Sequence, residues 1–217
     1  MNLNKKSLVK RYLFLCVGLM IMAYGVAFSI KAGLGTSPIS SVPYLISCFS
    51  PLSVGTITIL MHCIFILLQI LLLRKDYEPV QLMQLPVAII FGYLTDFAIY
   101  TIQNLTCSSY LWQWLYCVIG IVLVAIGVSF EVVANVVTLA GEGLILAICK
   151  VFPIKFGTMK IVFDLSLVCI AIVLSLIFTQ SIAGVREGTI AAAFFVGMIS
   201  KQLNKRLEKM TLHFFVK

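Results

Sequence analysis

A few ionisable side chains interrupt the long apolar runs of this chain, and they are its best candidates for chemistry. Asp164 lies well inside one such run, and Lys160 is four positions before it. Residues four apart share one face of a helix, so these two side chains can form an ion pair. Ionisable groups inside a membrane helix are costly and usually face a bundle interior or a cavity. The pair is therefore a candidate for binding a solute or an ion, and mutual neutralisation is the structural alternative.

Four further polar residues belong to the predicted binding set. His62 lies in an otherwise apolar segment, and Glu142 lies between two glycines, which leave room for close backbone approach. Ser40 and Thr36 lie near Pro38, in a connector that begins with glycines. Two alternatives remain open: His62 can be a hydrogen-bonded packing residue, and Glu142 a solvated residue at the membrane interface.

Glu131 and Asp96 are weaker candidates, because each is near the end of an apolar run. A side chain at such a position reaches the interface by extending along the helix. Both carboxylates therefore stay candidates for a site, but weaker ones than the residues above.

No catalytic or cofactor-binding constellation is present. The histidines are His62 and His213, so a zinc-protease HExxH helix is absent, as are a Walker loop, a GxSxG elbow and paired-cysteine metal motifs. The net charge of +8 comes from basic residues at the ends of apolar runs, which indicates membrane orientation rather than nucleic-acid binding. We expect neither an enzyme nor a cofactor.

The composition predicts helices that cross a lipid bilayer. Hydrophobic residues make up 61% of the chain and charged residues 11%, with a mean hydropathy of +1.10. About 20 apolar residues in a helix span the hydrocarbon layer, and the alternation typical of a membrane barrel is absent. We predict an all-α, polytopic membrane protein, one domain over 1–217, with six transmembrane helices at 12–31, 54–73, 81–102, 111–132, 156–178 and 187–204.

The positions of the basic residues predict the orientation. If both termini are cytoplasmic, only Lys31 and Arg186 of the sixteen Lys and Arg residues fall in outer segments. Lys and Arg are strongly enriched on the cytoplasmic side of membrane proteins. We therefore predict cytoplasmic termini, with 207–217 as a cytoplasmic tail.

A shift of 102 residues aligns the first half of the chain with the second. The matched pairs that constrain the backbone are Gly18 with Gly120, Gly25 with Gly127, Thr36 with Thr138, Pro51 with Pro153 and Gly55 with Gly157; Gly92 meets Gly197 with three more residues of offset. We expect these glycines to let helices pack closely. The same shift pairs His62 with Asp164, and Ser40 with Glu142.

The match predicts two three-helix repeats, 11–104 and 110–206. Three is an odd number of crossings, so the repeats must be inverted, an arrangement that recurs in transporters with a substrate site between the repeats. A duplicated scaffold without transport is the alternative. Each repeat has a short helix, 36–48 and 138–150, too short to cross and therefore interfacial or re-entrant. Thr36 or Ser37 is expected to cap the first of them.

Several short motifs resemble one family. The run Lys-Ala-Gly-Leu-Gly-Thr-Ser-Pro over 31–38, followed by Ser-Val-Gly-Thr over 53–56, is similar to the YczE-type (YczE/YyaS/YitT-like) family of bacterial membrane proteins. Ala-Gly-Glu-Gly-Leu over 140–144 resembles a degenerate second-half motif, in which Ala140 replaces a proline-like position. The resemblance implies a multi-pass protein of the bacterial cell membrane and brings no known activity.

Two functions follow as hypotheses. The first is a small-solute or ion transporter, or a substrate-binding membrane component, with its site between the repeats. The second is a membrane partner that supports the assembly or regulation of another protein, or that forms a homo-oligomer. The lipid bilayer is the expected partner in both.

Overall fold

The computed structural model describes residues 5–107, 109–180 and 184–216, and every regular element within those residues is helical. The helices are α1 (Lys5–Ala32), α2 (Pro38–Phe49), α3 (Val54–Leu73), α4 (Gln84–Thr101), α5 (Tyr110–Ala134), α6 (Ala140–Val151), α7 (Phe156–Thr179) and α8 (Glu187–Val216). Two 3-10 turns, Arg74–Asp76 and Pro79–Met83, connect α3 to α4. The predicted all-α fold is confirmed.

Five helices of the described residues are long and apolar enough to cross a membrane: α1, α3, α4, α5 and α7. They correspond to the first five predicted spans, although α4 begins at Gln84 rather than at the predicted 81. The helix α8 has 30 residues, but its apolar part ends before Lys201. It continues to Val216, through most of the segment predicted as a separate tail. A sixth crossing by α8 stays a prediction.

Both short connectors are helices of 12 residues, as expected. Pro38 occupies the first turn of α2, where its fixed φ and missing N–H cost nothing. The predicted side-chain cap is wrong: Ser37 is at the N-cap position, but its hydroxyl donates to Ser40 Oγ at 3.0 Å instead of accepting from the backbone.

The helices α1 and α5 form an antiparallel pair through glycines. A β-carbon at Gly25 would lie 2.6 Å from the Val124 backbone nitrogen and 2.9 Å from the Gly120 carbonyl oxygen. A β-carbon at Gly127 would lie 2.7 Å from the Gly18 carbonyl oxygen. Small residues allow helix backbones to approach closely in lipid, where no hydrophobic effect drives helices together. The expected role of these four glycines is confirmed.

Contacts across the α1–α5 interface come in pairs, and the 102-residue offset converts one contact of each pair into the other. Phe14 stacks on Phe130 with ring centroids 4.1 Å apart, and Phe28 meets Tyr116 edge-on at 5.8 Å. Adding 102 to 14 and 28 gives 116 and 130, so each pair becomes the other. The glycine pairs 18–127 and 25–120 follow the same rule. A two-fold relation between the halves would produce this pattern.

Helix ends and helix packing follow the same offset. The ends that coincide are Ala32 with Ala134, Pro38 with Ala140, Phe49 with Val151 and Val54 with Phe156. Each short helix packs on the long helix of the other half, α2 on α7 and α6 on α3. Buried residues such as Leu45, Phe65, Ile145 and Phe163 fill the core between them. The halves are therefore interlocked rather than side by side.

One pair of helices breaks the correspondence. In the first half α3 and α4 are in close contact, and a β-carbon at Gly55 would collide with the Gly92 carbonyl oxygen and the Asp96 carboxylate. In the second half α7 and α8 make almost no contact, and nothing lies within 4 Å of a β-carbon placed at Gly157 or Gly197. The prediction that these two glycines pack closely is wrong, because their helices are separated. The α3–α4 contact of the first half thus has an α7–α8 gap as its counterpart in the second.

The difference in packing between Gly25, which touches another helix, and Gly197, which faces open space, is testable by placing alanine at each position. We expect Gly25→Ala to destabilise the protein by roughly 1–3 kcal/mol, because its new methyl group would press on the α5 backbone. Gly197→Ala should be neutral or stabilising by up to about 1 kcal/mol, because alanine favours helix and open space surrounds it. Thermal unfolding of the purified protein in detergent measures both. Equal losses of stability would contradict the α7–α8 gap.

Candidate functional site

A cavity of about 730 Å³ lies within the helix bundle and continues into the α7–α8 gap. All eight helices contribute residues to its wall, from both halves of the chain. Lys201 and Asn204 of α8 line it near the end of the apolar run, while the buried His62 and Phe91 line it from α3 and α4. Its volume is within the range of pockets that hold small organic ligands.

Five of the six residues predicted for binding line this cavity: Asp164, Lys160, His62, Glu142 and Ser40. Thr36 is not among the lining residues. It is buried, its hydroxyl donates to the Ser37 carbonyl at 3.5 Å, and its amide donates to the Gly184 carbonyl at 3.3 Å. Thr36 therefore fastens the start of α2 to the segment before α8.

The expected ion pair on α7 is present. Lys160 Nζ lies 3.0 Å from Asp164 Oδ1, and the two side chains are 33% and 18% exposed. The four-residue spacing alone is sufficient to bring them together on one helix face. Within the cavity wall, the two groups therefore neutralise each other.

The first turn of α6 is held in place by two buried side chains from other helices. Glu131, 2% exposed at the end of α5, accepts a hydrogen bond from the Leu139 amide at 2.6 Å. Gln69 of α3 donates to the Ala140 carbonyl at 3.0 Å. The expectation that Glu131 extends to the interface is wrong, because the chain turns back after α5 and presents the Leu139 amide to its carboxylate. These bonds fix the helix turn that carries Glu142.

Glu142 has no hydrogen bond or ion pair within the part of the chain that the structure describes. Burial raises the pKa of its carboxyl above the usual value, the Lys160 ammonium opposes that shift, and the Asp164 carboxylate adds to it. Its side chain is half-buried and lines the cavity. The carboxylate therefore faces the cavity. It lies in the first turn of α6, where the helix dipole stabilises a negative charge.

His62 has a ring nitrogen without a partner among the residues that the structure describes. It is 1% exposed, and its Nδ1 atom has no hydrogen bond within the described residues. Its ring meets Phe65 and Phe91 edge-on, with centroids 6.1 and 6.4 Å away. Buried polar atoms are nearly always hydrogen-bonded, so an unpaired nitrogen on a side chain that lines a cavity needs an explanation. In the described residues His62 therefore packs against aromatic rings, without the hydrogen bond at Nδ1 that the packing alternative would supply.

Asp96 holds the α3–α4 contact together. Its Oδ2 accepts from Ser53 Oγ at 2.5 Å, and its Oδ1 accepts from the Gly55 amide at 2.7 Å. A carboxylate at a helix N-terminus satisfies free N–H groups and complements the helix dipole. Sequence reasoning did not predict these bonds, which form because α4 presents Asp96 to the first turn of α3. These two bonds therefore join α3 and α4 at this end of the helix pair.

Comparison with known proteins identifies the family. A family model described as a family of unknown function, DUF6198, matches residues 9–205, which include nearly all of both halves. The chain belongs to this family. Membership in DUF6198 assigns no activity to the cavity.

One curated relative of this DUF6198 protein is the uncharacterized protein YyaS of Bacillus subtilis (strain 168). The two are 30% identical over 120 residues, which are 55% of this chain and 58% of YyaS. The match therefore spans less than two thirds of that relative. No solved structure matches the chain. The resemblance to YyaS-like proteins is confirmed.

Glu131 provides a test of how the α6 turn is positioned. We expect Glu131→Ala to lower stability by about 1–3 kcal/mol, because it leaves the buried Leu139 amide without an acceptor. Glu131→Gln should retain most of the stability, since its amide oxygen can accept the same bond. Thermal unfolding in detergent compares the two variants. A similar loss in both would mean that the negative charge, not the hydrogen bond, is what this position supplies.

Proposed function

We propose that this DUF6198 protein is a transporter of a small solute, with its binding cavity between two inverted three-helix repeats. The observation that carries the proposal is the contrast between the closed α3–α4 contact and the open α7–α8 gap, at positions that the offset makes equivalent. In this role the protein moves a solute across the membrane and catalyses no reaction.

The exchanged contacts support the inverted repeat. A pseudo-two-fold axis in the membrane plane would exchange the 14–130 contact with the 28–116 contact, and the 18–127 contact with the 25–120 contact. A cavity lined from both halves then lies on or near that axis. This is where transporters built from inverted repeats bind their substrates.

Six crossings are the number that the repeat requires, with α8 as the sixth. The segment 187–204 would be about 27 Å long as a helix, close to the thickness of the hydrocarbon layer. Ile190 and Phe194 of α8 are 74% and 70% exposed, as expected for side chains that face lipid. An even number of crossings leaves both termini on one side, and the distribution of Lys and Arg favours the cytoplasm.

In that orientation the conformation is open to the cytoplasm. The α7–α8 gap is at the inner ends of its helices, near Lys201, and the α3–α4 contact is at the outer ends, near Asp96. Exchange of the two arrangements would close the gap around Gly157 and Gly197 and separate Gly55 from Gly92. The glycine spacing conserved between the halves supplies a small-residue surface for each closed contact. Such an exchange would expose the cavity to each side in turn.

Exchange between the two arrangements is testable without a known substrate. In a background without the seven native cysteines, a Thr58→Cys variant reports on the outer path, because buried Thr58 is one turn before His62 on α3. A membrane-impermeant maleimide added outside intact cells should label it slowly. Asp96→Asn should raise that rate by about ten-fold, since one or more charge-assisted hydrogen bonds of the α3–α4 contact are lost.

A second variant tests the reverse direction. Gly197→Trp would fill the α7–α8 gap and prevent its closure, so labelling of the Thr58→Cys variant should fall below the starting rate. Asp76→Asn is the matched control for Asp96→Asn, and Leu52→Cys, exposed beside the start of α3, controls for reagent access. Equal protection of Thr58→Cys in every folded variant would indicate a static scaffold. That outcome would favour the role of a membrane partner instead.

A further inference from the structure

The charges in the cavity wall indicate what kind of solute it accepts. Three carboxylates line the cavity, from Glu131, Glu142 and Asp164, against the ammonium groups of Lys160 and Lys201. Lys201 is exposed at the cavity end, while the other four are at least half-buried. The enclosed part of the wall therefore has more negative than positive groups.

Only one of these carboxylates lacks a partner within the described residues. Asp164 pairs with Lys160 at 3.0 Å, and Glu131 accepts from the Leu139 amide at 2.6 Å. Glu142 has neither kind of bond. A half-buried carboxylate without a counter-ion is costly, and a positively charged ligand would supply the missing partner.

His62 adds an independent observation. Its Nδ1 atom, buried and without a hydrogen bond in the described part of the chain, belongs to a side chain that lines the same cavity. A neutral imidazole offers one acceptor nitrogen. The wall of the cavity thus includes a second polar side chain whose hydrogen-bonding capacity the described residues do not use.

The rest of the wall is mostly apolar. Phe91, Val124, Val128, Phe156 and Ile161 line the cavity together with the polar groups. Aromatic rings also attract cations through their faces. Within the described residues, no three His, Cys, Asp or Glu side chains converge as metal ligands do. These features fit a cation with an apolar body better than a metal ion.

We propose that the cavity binds a small organic cation, an amine with an apolar body, whose ammonium group pairs with Glu142. The inference rests on the proposed function, because it assigns a substrate class to the same cavity. His62 lines the same cavity, and its Nδ1 atom has no partner in the described residues. Lys160 forms its direct ion pair with Asp164 and none with Glu142, so Glu142 keeps room for a counter-ion of its own. The aliphatic and aromatic residues contact the body of the ligand.

Three probes of matched size and different charge test the assignment. They are 2-phenylethylammonium, neutral 2-phenylethanol and anionic 3-phenylpropanoate, each titrated into the purified full-length protein in detergent by calorimetry. We expect binding of the cation and at least about ten-fold weaker binding of the other two. Glu142→Gln should weaken cation binding by about ten-fold or more, because a charge-assisted bond is lost. The control Glu187→Gln, which changes an exposed carboxylate paired with Arg186, should bind as the unaltered protein does.

Each other outcome overturns the assignment. Equal binding of cation and alcohol, preference for the anion, unchanged cation binding in Glu142→Gln, or no binding of any probe would reject an organic cation paired with Glu142. If Glu142→Gln fails to fold, the comparison of the three probes on the unaltered protein decides alone. Labelling of the Thr58→Cys variant distinguishes failure of the substrate class from failure of the transporter proposal. If Asp96→Asn raises the labelling rate while the probe test fails, the organic cation is rejected and the transporter is retained.

Discussion

The close approach of α1 and α5 is the contact on which the rest of the structure depends. Apolar side chains gain little by leaving lipid for one another, so helix association in a membrane relies on close packing. Gly18 with Gly127, and Gly25 with Gly120, let the two backbones meet at two levels. With this pair fixed, each short helix reaches across to the opposite half, α2 to α7 and α6 to α3. The starts of the two short helices, α2 and α6, both line the cavity.

The same glycine pattern is accompanied by different helix packing in the two halves. Gly55 and Gly92 bring α3 against α4, where Asp96 adds hydrogen bonds to the first turn of α3. Gly157 and Gly197 have the equivalent positions but face open space. Lys201 occupies the position that matches Asp96, so the second half has no carboxylate to fasten α7 to α8. This difference gives a physical reason for the α7–α8 pair to be the open one.

The sequence predicted the parts of this structure that depend on local rules. Apolar length predicts the helices, Pro38 and Pro51 limit the first short one, and the Lys160–Asp164 pair follows from helical spacing. Tertiary features were not predictable in this way. Glu131 is buried because the chain turns back toward it after α5, and Gly157 is open because α7 and α8 diverge. Neither fact has a signature in the neighbouring residues, since a glycine motif permits close packing without requiring it.

The cost of burying charge connects the fold to its proposed ligand. Every carboxylate removed from water must recover its solvation from the protein or from a ligand. Asp96 recovers it from a backbone amide and a hydroxyl, Glu131 from the Leu139 amide, and Asp164 from Lys160. Glu142 has the start of α6 as its local compensation, a partial charge that does not replace a counter-ion. Since these three carboxylates are satisfied by the protein itself, Glu142 is the one whose partner we expect to enter with the solute.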